Sequence, residues 1–209
     1  MCYNKRMAGT TILSGSLKDG PPTTDTQHRA TPCTVDATVE AVELSLFSDS
    51  DQIKRRAVLA AYALHSLQMD SDRYKTKFLL PLRDPEGLGH CYERVGDFTI
   101  SDENGDLFEC IQITGILLTP ASVEEAFAQV SPHAPHRFCL LTTAGVYDDN
   151  KEALRQICDN IYQTSGCEVI VDGLMPTLNY GVRSLPEPAN FLAAYSRALQ
   201  EDILDSKTP

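Results

Sequence analysis

The sequence predicts an α/β fold, a mixed central sheet flanked by helices and preceded by an N-terminal helical portion. Three observations predict it. Short apolar or alternating runs and helix-period runs alternate from about residue 97 onward, the pattern of a sheet covered on both faces. Asn104-Gly105 sits between two such runs and marks a hairpin. Two helix-period stretches come before the strand-rich part.

The chain has 209 residues, enough for one domain with a sizeable core. Residues 1–32 are rich in Thr, Ser, Gly and Pro and have no sustained apolar period, so they read as a flexible arm. Residues 33–209 read as a single domain, with a helical part over 33–70 and a sheet core over 90–205. No apolar run approaches the roughly 18 residues of a membrane span, and no signal peptide is apparent at the N-terminus. The seven cysteines (2, 33, 91, 110, 139, 158 and 167) include no C-x-x-C pair. An odd, scattered set predicts a reducing cytoplasm rather than a disulfide framework.

Net charge is −11, and it is distributed unevenly. Residues 1–53 hold four basic and seven acidic side chains, residues 54–94 hold eight and five, and residues 95–209 hold six and 17. A phosphate-facing surface would therefore draw on Lys54, Arg55, Arg56, Arg73, Lys75, Lys77, Arg83 and Arg94. The acidic half would have to face away from a nucleic acid.

The elements follow in order. Val35, Val39, Val42 and Leu46 keep helical spacing after Thr34, a suitable N-cap. Ile53, Ala57, Val58, Ala61, Leu64 and Leu67 form one stripe of a helix over 51–68, with Asp51 as its expected cap. Arg73 to Lys77 alternates as a strand would, and Phe78-Leu79-Leu80 reads as buried. Pro81, Pro85, Gly87 and Gly89 then break regular structure. His90, Cys91 and Glu93 match no strong zinc spacing and read as loop residues. Residues 97–101 and 107–114 form the hairpin. Thr119 and Pro120 open a helix, and residues 137–143 form a buried strand. Residues 149–163 are an amphipathic helix with Leu154, Ile157, Cys158 and Ile161 inward, ended by Gly166. Residues 167–171 are another strand. The last helix, over 188–204, places Phe191, Leu192, Tyr195, Leu199 and Ile203 on one side. His133 and His136, flanked by prolines, read as loop residues.

Several of these segments carry a resemblance: Gly96-Asp97-Phe98-Thr99-Ile100, Phe108-Glu109-Cys110-Ile111-Gln112-Ile113 and Leu118-Thr119-Pro120. It continues through Arg137 to Thr143, Gly166 to Val171 with Gly173, and Pro176 to Tyr180. Over residues 90–200 the chain resembles the SacI-like type II restriction endonucleases of the PD-(D/E)xK nuclease superfamily. That resemblance implies a restriction-endonuclease-like fold in which a carboxylate on each of two strands holds Mg²⁺ and a Lys two residues on serves the phosphate. Asp97 matches the first metal ligand and Glu109 matches the first Glu of the second strand. Gln112 stands where the metal-binding Glu is expected, and Thr114 where the Lys is expected.

An amide at 112 removes half the formal ligand charge from a site for a hard cation. Thr114 brings no positive charge to a phosphoryl transition state. Side chains two apart share a strand face, so Gln112 and Thr114 point the same way. Glu109 points to the other face unless a bulge re-aims it. The expectation is a nuclease frame in a DNA-processing or defence system, with catalysis lost or impaired. It would bind double-stranded DNA or a protein partner, the latter as a subunit or homodimer. The alternatives are an active Mg²⁺-dependent endonuclease using Asp97, Glu109 and Gln112, and a structural assembly subunit that does not bind DNA. At the level of the residues alone, Asp97 can also orient the hairpin, with Gln112 and Thr114 serving as ordinary sheet residues.

Overall fold

Helix α1 (Val35–Phe47) starts where Thr34 Oγ1 accepts the Ala37 N–H at 3.2 Å, a side-chain cap on an otherwise orphan donor. Its buried stripe is Thr38, Val39, Val42 and Leu46. Helix α2 (Ile53–Gln68) follows a 3-10 turn over Ser50–Gln52. The expected Asp51 cap falls inside that turn. Asp49 is the capping side chain instead, accepting the Asp51 N–H. Ala57 to Ala61 and Ala63 to His65 are all buried, because α2 packs against α1, α5, α6 and strand β3.

The computed structural model describes residues 34–82, 95–145 and 151–206, all within one unit, Cys33–Pro209. The N-terminal arm, Arg83, His90, Cys91, Glu93 and Arg94 lie outside the described residues. Among those described, no helix is long and apolar enough to cross a membrane.

Five strands form one mixed sheet in the order β1 (Lys77–Leu79), β2 (Phe98–Asp102), β3 (Leu107–Thr114), β4 (Arg137–Thr142), β5 (Glu168–Gly173). β1, β2 and β3 pair antiparallel, and β3, β4 and β5 pair parallel. Helices α3 (Pro120–Val130) and α4 (Lys151–Ser165) make the two parallel crossovers. On one face, Phe98, Ile100, Ile111, Ile113, Cys139 and Leu141 meet α1, α2, α5 (Leu174–Arg183) and α6 (Ala189–Ser206). On the other, Cys110, Phe138, Leu140 and Val169 meet α3 and α4. Sequence alternation predicts this two-faced burial.

Three expectations change. Residues 73–76 are not a strand: Asp72–Tyr74 is a 3-10 turn that buries Tyr74, and Thr76 at φ +118° follows it before β1 begins at Lys77. Phe78 is 56% exposed, because β1 is an edge strand that turns it away from the core. Ile203, near the end of α6, is also exposed. Helix α5 is hidden in the sequence by two apparent breakers. Pro176 falls in its first turn, where a missing N–H costs nothing. Gly181 faces Leu64 of α2 so closely that a Cβ there would overlap the leucine side chain. Gly181→Ala is therefore expected to destabilise the protein by about 1–3 kcal/mol, read as a lowered midpoint in urea unfolding.

Candidate functional site

The hairpin delivers Asp97 to the far end of β3. Gly96 precedes it at φ +71°, and a Cβ there would lie 2.7 Å from Ile111 O, so only glycine lets the chain enter this close to β3. The Asp97 N–H donates to Ile111 O at 2.8 Å. The next ladder pair is Phe98 with Ile111, which sets Asp97 across from Gln112. Its Oδ2 accepts the Ile113 N–H at 2.6 Å, taking the place of a strand carbonyl. Its Oδ1 lies 3.6 Å from Lys54 Nζ on the first turn of α2.

Asp97 is thus brought to the backbone between Gln112 and Thr114. Those two side chains are half-buried and line a cleft of about 180 Å³ between β3 and α3. Ser122, Glu125 and Gln129 of α3 share this cleft. Their polar spacing on α3 was readable in the sequence, but which face α3 presents to β3 was not.

Glu109 goes elsewhere. The β2–β3 register shifts so that Ile100 pairs with Glu109 and Ser101 with Leu107. The bulge re-aims Phe108 and leaves Glu109 on the α2 face, opposite Gln112. Glu109 is 1% exposed. Tyr74 donates its hydroxyl to Oε2 at 2.9 Å, the Cys139 thiol donates to Oε1 at 3.1 Å, and Arg73 Nη2 donates to Oε1 at 3.3 Å. Arg137 Nη1 lies 4.0 Å from Oε2 and is buried with no hydrogen-bond partner among the described residues. Sequence reasoning missed Tyr74, Cys139, Arg137 and His65 as neighbours of Glu109. Alternation along β3 was the one available signal.

Burial governs the titrations here. It pushes the Tyr74 hydroxyl up, with Glu109 adding to the shift. It raises the Cys139 thiol well above the usual range, again with Glu109 contributing. Cys110, beside Val95 O, is pushed up to about 12 by burial and then by Asp97. These thiols stay protonated and unreactive near neutral pH. His65 is depressed by burial. Its Nδ1 lies 2.8 Å from Ala61 O, which assigns the proton to that nitrogen, and its ring meets Phe98 edge-on at 5.2 Å.

The residues at Asp97 do not fit a Mg²⁺ ion. One oxygen of the Asp97 carboxylate holds a backbone N–H, and the other faces an ammonium. Mg²⁺ favours anionic oxygens in near-octahedral array. Among the described residues, no group of three or more His, Cys, Asp or Glu is placed to hold a metal.

The basic residues divide by what they already hold. Arg55 pairs with Asp202, while Arg56 holds Ser45 O, the Ser48 hydroxyl and Asp49. Lys54 is 63% exposed despite Asp97. Arg73 and Lys75 are exposed, and Lys77 is half-buried over the Phe108 ring.

Two outcomes follow. Tyr74→Phe keeps the ring and removes a hydrogen bond to a buried carboxylate, so a loss of about 1.5–3 kcal/mol is expected in denaturant unfolding. For His65, the folded pKa lies below its ordinary 6.5, so the unfolded chain binds more protons below that pH. The stability contributed by the neutral ring is full above about pH 6.5 and is lost as pH falls through the folded value. The melting temperature should therefore drop between pH 7 and 5.5, with a shallower slope in His65→Phe.

No family model matches this chain, and no curated protein matches it.

Proposed function

We propose that this chain is a restriction-endonuclease-like protein of a DNA-processing or defence system that acts by binding, with its cleavage chemistry lost. The observation that carries the reading is the state of Asp97. Its carboxylate stands at the end of β3 and is satisfied by the Ile113 N–H and the Lys54 ammonium. Gln112 and Thr114, which flank Ile113, bring no charge of their own and line the α3 cleft together with Glu125. Glu109 is committed to Tyr74, Cys139 and Arg73 on the opposite face, so it cannot replace the missing carboxylate without unmaking the core.

Binding to duplex DNA falls to the exposed cations Arg73 and Lys75 and to Lys77. Arg55 and Arg56 are held within the fold. Against a net charge of −11, so small a set supports weak duplex binding, completed by a protein partner or a second copy of the chain. The four described cysteines are free thiols, which supports a reducing cytoplasm as the setting.

The test is a plasmid incubation with Mg²⁺ and, in parallel, Mn²⁺, comparing wild type with Asp97→Ala. A gel shift on duplex DNA at low salt accompanies it. The expected result is no cleavage by either protein and duplex retention that falls steeply with salt. Cleavage by the wild type alone would replace this reading with an active endonuclease. No retention of duplex would leave a structural assembly subunit.

A further inference from the structure

The bulge in β3 serves no purpose in the Asp97 site, yet it builds a second feature at the other end of the strand. Phe108 is the unpaired residue of the bulge. Leu107 packs into the α3/α4 core, whereas Phe108 joins Glu109 on the α2 face. Around the half-buried Phe108 ring stand Lys77, with Nζ 4.7 Å from its centroid, and Arg137, with Cζ at 6.0 Å. The His136 ring lies 6.3 Å away at 38°, and the Tyr74 ring 6.3 Å away at 89°. Arg73 covers Tyr74 in turn at 5.1 Å. Cations and aromatic rings are interleaved over β1, the turn before it, β3 and β4.

We infer that this cluster binds unpaired nucleotides: a base stacks at the rim formed by Phe108 and the exposed His136, and flanking phosphates meet Lys77, Lys75 and Arg73. Aromatic faces beside cations are the sequence-tolerant way to hold single strands. A ring set into a strand can meet a base only when that base has left a duplex stack. The nearby acids are Glu109, Glu168, Asp102, Asp106 and Asp72, the last exposed beside Arg73. Glu109 is buried under Tyr74 and Cys139, Glu168 is held by Arg137, and Asp102, which pairs across the sheet with Lys77, has one carboxylate oxygen taken by the N–H groups of Asn104 and Asp106 in its own hairpin. Exposed Asp106 remains and bounds the site on the hairpin side. Five steps along β3 separate Phe108 from Ile113, about 16 Å at strand rise, so this site is distinct from the Asp97 end. It deepens the nucleic-acid reading above and rests on it for the class of ligand alone.

Fluorescence anisotropy tests it, using a labelled 20-nucleotide oligo-dT and a 20-base-pair duplex at low salt, with wild type, Phe108→Ala, Phe108→Trp and Lys77→Ala. Wild type is expected to bind the single strand more tightly than the duplex. Phe108→Ala should weaken the single strand about tenfold or more and leave the duplex unchanged, while Phe108→Trp retains binding and shows that the site still folds. Lys77→Ala should reduce the salt slope by about one. Equal oligo-dT binding by wild type and Phe108→Ala overturns the inference, as does a duplex bound more tightly than the single strand. In either case retained duplex binding leaves the proposed function standing. No binding to either nucleic acid removes both.

Discussion

The carboxylate of Glu109, 1% exposed at the junction of the antiparallel and parallel halves of the sheet, has to be satisfied by whatever packs on it. Removing a charge from water costs several kcal/mol unless hydrogen bonds and opposite charges replace the solvent. Here the replacements come from two parts of the chain. Tyr74 and Arg73 arrive from the turn after α2, Cys139 from the next strand, and Arg137 from the start of that strand. Satisfying Glu109 therefore fixes the path of the chain after α2. It turns Tyr74 inward and sends the chain out along the sheet edge as β1.

The same position divides the sheet's two ends. Up to Leu107 the hairpin keeps one register, and from Glu109 onward β3 runs unbroken against β4, pairing Glu109 with Arg137 through Thr114 with Thr142. The extra residue between them lets an aromatic ring and a carboxylate emerge on one face. At the opposite end the ladder stops at Phe98 and Ile111, and the Asp97 side chain closes it by accepting the Ile113 N–H. One end of β3 thus gathers cations around a ring. The other holds a lone carboxylate with its counter-ion.

Electrostatics links the two ends to the helical layer. Lys54, Arg55 and Arg56 are consecutive on α2, yet each is drawn to a different partner: Asp97 under the sheet end, Asp202 on α6, and the α1 C-terminus with Asp49. A basic tripeptide that looks like a phosphate patch in one dimension is largely a set of clamps between helices and sheet. The positive field that survives lies around Arg73, Lys75 and Lys77, next to the aromatic rings.

The sequence by itself determined the elements and their faces. Helix period along α1, α2 and α4, the Asn104-Gly105 turn, the Thr119-Pro120 start and the alternation that opposes Glu109 to Gln112 are local consequences of backbone geometry, and all are legible in one dimension. It also placed Asp97 beside the Gln112–Thr114 segment, because a short hairpin leaves few other registers. Only the tertiary structure decided what long-range packing controls. Tyr74 lies in a turn because a buried carboxylate 35 positions away needs its hydroxyl. Gly181 lies within a helix because Leu64 occupies the space of a side chain. The basic residues of α2 are spent on acids up to 147 positions distant. A residue's partner across the fold depends on which faces meet, and periodicity carries no information about that.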